Sequence, residues 1–340
     1  MSSIGLIAAA MTITSGPEAI ARPQWWPDSV RDTTVETGVI KMQVYRAGDE
    51  GVAVVIMQDM HDYFDPAPKW EGDIQEQWIE RGSRHRNFVA TLAKQHRVFV
   101  PIRRGYGATE DPGVGYDVAT YAEDVLAMLS KEGVERAVFI GRNPAQNDIY
   151  WIAEHHPERM IAMALFEPTP WLPFDFDNED AFAFASGWWR GARDMGATDE
   201  RIDELTLSRF SGAIPHFLSE EGAQIDVPLL YLSSPPSFEG AWMWANLFAF
   251  EDEDADCSEV TSNYPCSVFG DADRVDRLRT YFGSHPHNAL AASTRERLEA
   301  TFSDMTVVPY PFGDEFPSDI WAYYGEVVEP FLARFRQRQE

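Results

Sequence analysis

Three short runs in this 340-residue chain, residues 52–57, 97–100 and 137–140, are apolar nearly throughout and no longer than a strand. A strand that is apolar at consecutive positions has two faces to bury, which is the condition inside a parallel sheet covered by helices on both sides. Helical periodicity precedes the second and third runs, over residues 87–95 and over residues 121–131, where Tyr121, Val125, Leu126 and Leu129 share one face. Strands alternating with helices predict an α/β fold on a mostly parallel sheet flanked by helices. Residues 33–37 and 39–45 read as a hairpin ahead of the first run, 149–156 as a helix and 160–166 as a strand, after which Glu167-Pro168-Thr169-Pro170 breaks the rhythm. Further on, 227–232 reads as a strand, 293–303 as a helix, 306–309 as the last strand and 320–336 as a closing helix.

Residues 171–225 and 234–290 fit neither pattern and read as excursions from the sheet, the second carrying the acidic run 251–256, most simply a solvated loop. Residues 1–32 are expected to form an N-terminal extension. Its apolar segment 4–13 is too short to cross a bilayer and no cation precedes it, so a cytoplasmic protein is expected over an exported one. With 28 Lys and Arg against 55 Asp and Glu, the net charge of −27 repels a phosphate backbone, which excludes nucleic acid as a partner. Cys257 and Cys266 are spaced for a small disulfide loop or stand as two unpaired thiols.

The span 97–110, RVFVPIRRGYGATE, followed by GYDVATYAEDVLAMLSKEGVERAVFIG at 115–141 and EHHPERMIAMALFEP at 154–168, resembles the α/β-hydrolase superfamily, in its branch of epoxide hydrolases, haloalkane dehalogenases and small esterases. The resemblance covers residues 33–168 and the last strand and helix. It implies an α/β-hydrolase fold with a core over 33–168 and 226–340, and a cap over 169–225 inserted after the strand that ends near Phe166. Trp171, Trp188 and Trp189 fall in that cap, where clustered aromatics serve packing or recognition.

Applied residue by residue, the resemblance points to a damaged catalytic machinery. The nucleophile elbow G-x-S-x-G or G-x-D-x-G reads here Gly141-Arg142-Asn143-Pro144-Ala145. A carboxamide cannot perform the covalent step of an alkoxide or a carboxylate, although asparagine tolerates the left-handed backbone of such a turn. Pro144 has no backbone N–H, so one oxyanion donor is lost, which typically costs about 100- to 1000-fold in rate. Glu315, beside Asp314, stands in the histidine slot, read either as a base over the pocket or as an exposed acid before the final helix. The stretch after 227–232 offers no carboxylate, which leaves Asp273 as the acid or as the N-cap of a following helix. Gln58 and Asp59 take the place of the usual oxyanion-loop His-Gly pair. His155-His156 and His285-Pro286-His287 lack further ligands at a suitable spacing, and no metal or cofactor is expected.

Two functions from different classes follow. The first is a non-catalytic pseudo-hydrolase that binds a small apolar or amphipathic ligand beneath the cap. The second is an unconventional hydrolase, isomerase or lyase using Glu315 or Asp314 as base and Asn143 as hydrogen-bond donor.

Overall fold

The computed structural model describes residues 29–57, 85–142, 145–166, 224–233, 295–312 and 319–336, together with Arg277. Eight strands form one sheet: β1 (Val30–Glu36), β2 (Lys41–Ala47), β3 (Ala53–Ile56), β4 (Arg97–Pro101), β5 (Ala137–Arg142), β6 (Met160–Phe166), β7 (Leu229–Leu232) and β8 (Met305–Val308), in the spatial order β1-β2-β4-β3-β5-β6-β7-β8. β1 and β2 make the expected antiparallel hairpin and β2 runs antiparallel to β4; every other neighbouring pair is parallel. β1 begins at Val30, three residues ahead of the expected extended stretch, because Val30 is buried and pairs with Ala47.

Residues 85–92 form the described part of helix α1, followed by α2 (Val118–Lys131), α3 (Gln146–His155), α4 over residues 295–301, and α5 (Ile320–Arg336). The helices cover opposite faces of the sheet. Val55, Phe99, Phe139, Met163, Leu165 and Leu229 pack against α2, α3 and α4, while their strand neighbours Val54, Ile56, Val98, Val138, Ile140 and Leu230 pack against α1 and α5. Successive side chains of a strand point to opposite faces, so two apolar layers require the unbroken apolar runs seen in the sequence. Of the segment 169–225 expected to form a cap, residues 169–223 lie outside the described residues, as do the two cysteines. Among the described residues no helix is long and apolar enough to cross a membrane.

The loop between β4 and α2 is held by a buried ion pair. Arg104 donates through Nε to one oxygen of Asp124 at 2.5 Å and through Nη2 to the other at 2.9 Å, and its Nη1 reaches the Val114 carbonyl at 3.1 Å. This fork fixes the Arg104-Gly105-Tyr106-Gly107 segment against the middle of α2. Gly115 provides the room, since a Cβ there would meet Arg104 Nη1 at 2.6 Å and its φ is +75°.

Candidate functional site at the carboxyl end of the central strands

Strand order reverses between β3 and β5: the chain moves from β3 to β4 on one side and returns to place β5 on the other. In open α/β sheets the crevice outside the carboxyl ends at such a switch point is where ligands bind. The Met57 amide donates to the Ile140 carbonyl at 2.8 Å, so the chain leaving β3 toward Gln58 and Asp59 departs beside the end of β5. β5 ends at Arg142, half-buried and paired with Phe166 of β6, and α3 starts at Gln146. Only residues 143–145 join strand to helix. A Cβ on Gly141 would come within 2.5 Å of Ile149 Cδ1 and 3.3 Å of the Ala145 Cβ, so the small residues at both ends of this connection are what let α3 pack closely on β5.

Beneath the turn, the first turn of α3 is polar and buried: Gln146, Asn147 and Asp148 are all below one-tenth exposed. Asp148 accepts a short hydrogen bond through Oδ2 from Arg103 Nη2, and Arg103 lies over the Tyr121 ring, 4.0 Å from its centroid. Burial raises the Asp148 carboxyl to about 6 because the loss of hydration outweighs the attraction of Arg103. Arg103 is itself raised, since Asp148 and Tyr121 more than offset its own desolvation. The two groups differ in their other neighbours: Asp117 also pushes the carboxyl up, whereas Tyr121 and Tyr106 join Asp148 in supporting the charged guanidinium.

On the other face, His85 of α1 stacks flat on Trp321 of α5, centroids 3.8 Å apart and planes 12° apart, next to Phe88. Burial, reinforced by Arg86 and Arg142, drives its imidazole well below its usual range, so it is neutral at ordinary pH. At the far strands, the Ser233 hydroxyl accepts the Tyr310 amide proton at 3.0 Å and the Ser233 amide donates to the Val308 carbonyl at 3.1 Å, which ties the ends of β7 and β8 together. The position just after β7 thus carries a hydroxyl that serves the backbone.

Sheet order, hairpin, switch point and strand–turn–helix connection decide the architecture. This chain has the α/β-hydrolase fold. A hydrolase from Pseudomonas aeruginosa PA01 shares it at a TM-score of 0.50 and 16% identity, the match covering 90% of this chain and 98% of that one. Among curated proteins, epoxide hydrolase A of Mycobacterium tuberculosis is 28% identical over 142 residues, 41% of this chain and 38% of its own length. A non-heme chloroperoxidase of Streptomyces lividans is 31% identical over 80 residues, 23% of this chain and 29% of its own. The chain therefore matches less than half the length of these curated relatives. No protein-family model matches the chain.

Of the site residues expected from the sequence, Arg142 is placed at the carboxyl end of β5 of the α/β-hydrolase fold. Asn143, Pro144, Gln58, Asp59, Asp273, Asp314 and Glu315 lie outside the described residues, although residues 143 and 144 fall between the placed Arg142 and Ala145. Sequence reasoning missed Arg103, Asp148 and His85. The signal for the first two was charge where apolar residues are expected: an arginine two residues after a buried strand, and an aspartate in the first turn of a helix packed on the sheet. No group of three or more His, Cys, Asp or Glu among the described residues could hold a metal ion.

Proposed function

We propose that this protein binds a small, mostly apolar ligand at the switch point, beneath a cap over 169–225, without the Ser-His-acid chemistry associated with the fold. One observation supports this reading above the others. The three-residue connection from β5 to α3 is where the fold presents its nucleophile, and the chain supplies Asn143 and Pro144 there. Asparagine withholds the nucleophile, proline withholds an oxyanion donor, and Glu315 in the histidine slot cannot relay a proton as imidazole does. A pocket between sheet and cap survives such losses, because its walls depend on packing and not on the triad.

The resemblance to an epoxide hydrolase and the proposed apolar pocket suggest the probes. Styrene oxide and short-chain aryl esters are expected to raise the melting temperature without being consumed. Consumption of either probe above the buffer rate would reject the reading. The second reading, an unconventional enzyme with Glu315 or Asp314 as base and Asn143 as hydrogen-bond donor, draws support from the displaced titration of Asp148, since such shifts cluster at functional sites. It predicts turnover with a pH profile that Glu315→Gln abolishes.

A further inference from the structure

Helices α1 and α5 run antiparallel to the strands they follow, so their first turns stand at the carboxyl edge of the sheet. The chain leaving α1 enters β4 with the Arg97 amide donating to the Val52 carbonyl at 3.1 Å, at the amino ends of β3 and β4. The last turn of α5 is tied to the start of β8, where Arg334 Nη2 donates to Asp304 Oδ2 at 2.6 Å. About one turn into each helix an aromatic ring meets Phe166, the last residue of β6: Phe88 edge-on with centroids 6.0 Å apart, and Tyr324 stacked at 4.4 Å. His85 and Trp321 are each three residues nearer the start of their helix, which at 1.5 Å per residue carries their stacked pair about 4.5 Å further, past the strand end. Phe166 pairs with Arg142, so the stack stands beside the end of β5, at the crevice that the switch point opens.

The other described histidines are at the opposite edge: His96 immediately precedes β4, and His155 and His156 close α3 ahead of β6. Among the described residues, His85 alone sets an imidazole on the ligand side of the sheet. With one ring face flat against the indole, its two nitrogens lie in a plane nearly parallel to Trp321 and point sideways, and an imidazole carries at least one N–H donor in either protonation state. We propose that His85 is the polar contact of the ligand site, donating a hydrogen bond from its imidazole to a lone carbonyl, ether or epoxide oxygen on an otherwise apolar ligand. The rings of Phe88, Phe166 and Trp321 around it suit an aromatic ligand body. His85 is buried, so the bond forms away from water, where it discriminates more strongly than at a surface. The inference rests on the reading that a ligand binds at the switch point, and it adds the contact that selects that ligand's oxygen.

The test compares styrene oxide with phenylcyclopropane, which carries a methylene where the epoxide carries its oxygen. Dissociation constants are measured on the full chain by ligand-observed NMR for three proteins: the wild type; His85→Phe, which keeps a ring against Trp321 and removes both nitrogens; and His85→Gln, which keeps a donor. The preference for styrene oxide over phenylcyclopropane is expected to fall about tenfold in His85→Phe while phenylcyclopropane binds as before, and to recover in part in His85→Gln. A histidine that only packs would leave that ratio unmoved. Should His85→Phe fail to fold, the imidazole nitrogen resonances of the wild type decide: one histidine, the one missing from His85→Gln, should shift with styrene oxide and not with phenylcyclopropane. An unchanged ratio in folded His85→Phe, or the absence of any histidine that distinguishes the two probes, would overturn the proposal and leave the ligand reading standing. A wild type that binds neither probe would overturn the ligand reading and this inference with it.

Discussion

Gly141 shows how closely single residues shape the candidate site. The space its side chain would need is filled by Ile149 Cδ1 at 2.5 Å and the Ala145 Cβ at 3.3 Å. Gly141→Ala is expected to cost about 1–3 kcal/mol through overpacking, read from the urea midpoint. Ile149→Val in the same background should restore part of it by removing the colliding methyl; unchanged midpoints in both would mean that α3 can retreat from β5. The glycine was legible only through the resemblance of Gly141-Arg142-Asn143-Pro144-Ala145 to a nucleophile elbow, and the close approach of Ile149 and Ala145 supplies a packing reason for it. Asp148 was not legible. Its carboxylate acquires meaning only beside Arg103, 45 positions away, and periodicity carries no information about such pairs.

At the level of elements, packing decided where the sequence reading succeeded. Helix α5 spans Ile320–Arg336 as expected, because its apolar stripe, including Trp321, Tyr324, Val328, Phe331 and Phe335, repeats at helical spacing against the sheet. α3 starts at Gln146 and not at residue 149, because its first turn buries three polar side chains that an apolar pattern cannot register. α2 starts three residues earlier than its apolar stripe suggests, where Asp117 caps it by accepting the Thr120 amide at 2.9 Å. The Arg104–Asp124 pair joins α2 to the preceding loop, with side chains 8% and 2% exposed. Arg104→Ala is expected to lower stability by about 3–5 kcal/mol, because it leaves the Asp124 carboxylate buried without its partner. Arg104→Lys should recover little, since an ammonium cannot make the two-pronged contact. A loss below 1 kcal/mol for Arg104→Ala, measured by urea unfolding, would show that the loop is held by its backbone alone.

For the molecule as a whole, the two-layered apolar sheet was readable from the strand runs, whereas the cluster at its carboxyl edge depends on residues that only the fold brings together. The net charge of −27 also acts at this scale. Self-repulsion among the acidic side chains should make the melting temperature rise as salt is raised from about 0.01 M to about 0.5 M, where screening shortens to a few ångströms. A fall over that range would show that attractive ion pairs dominate. The proposal that this hydrolase fold works without Ser-His-acid chemistry is tested most directly by a serine-directed fluorophosphonate probe, followed by intact mass and by hydrolysis of short-chain aryl esters. The account predicts an unmodified mass and ester hydrolysis no faster than in buffer. Stoichiometric labelling of a serine, with ester turnover that the label abolishes, would contradict it.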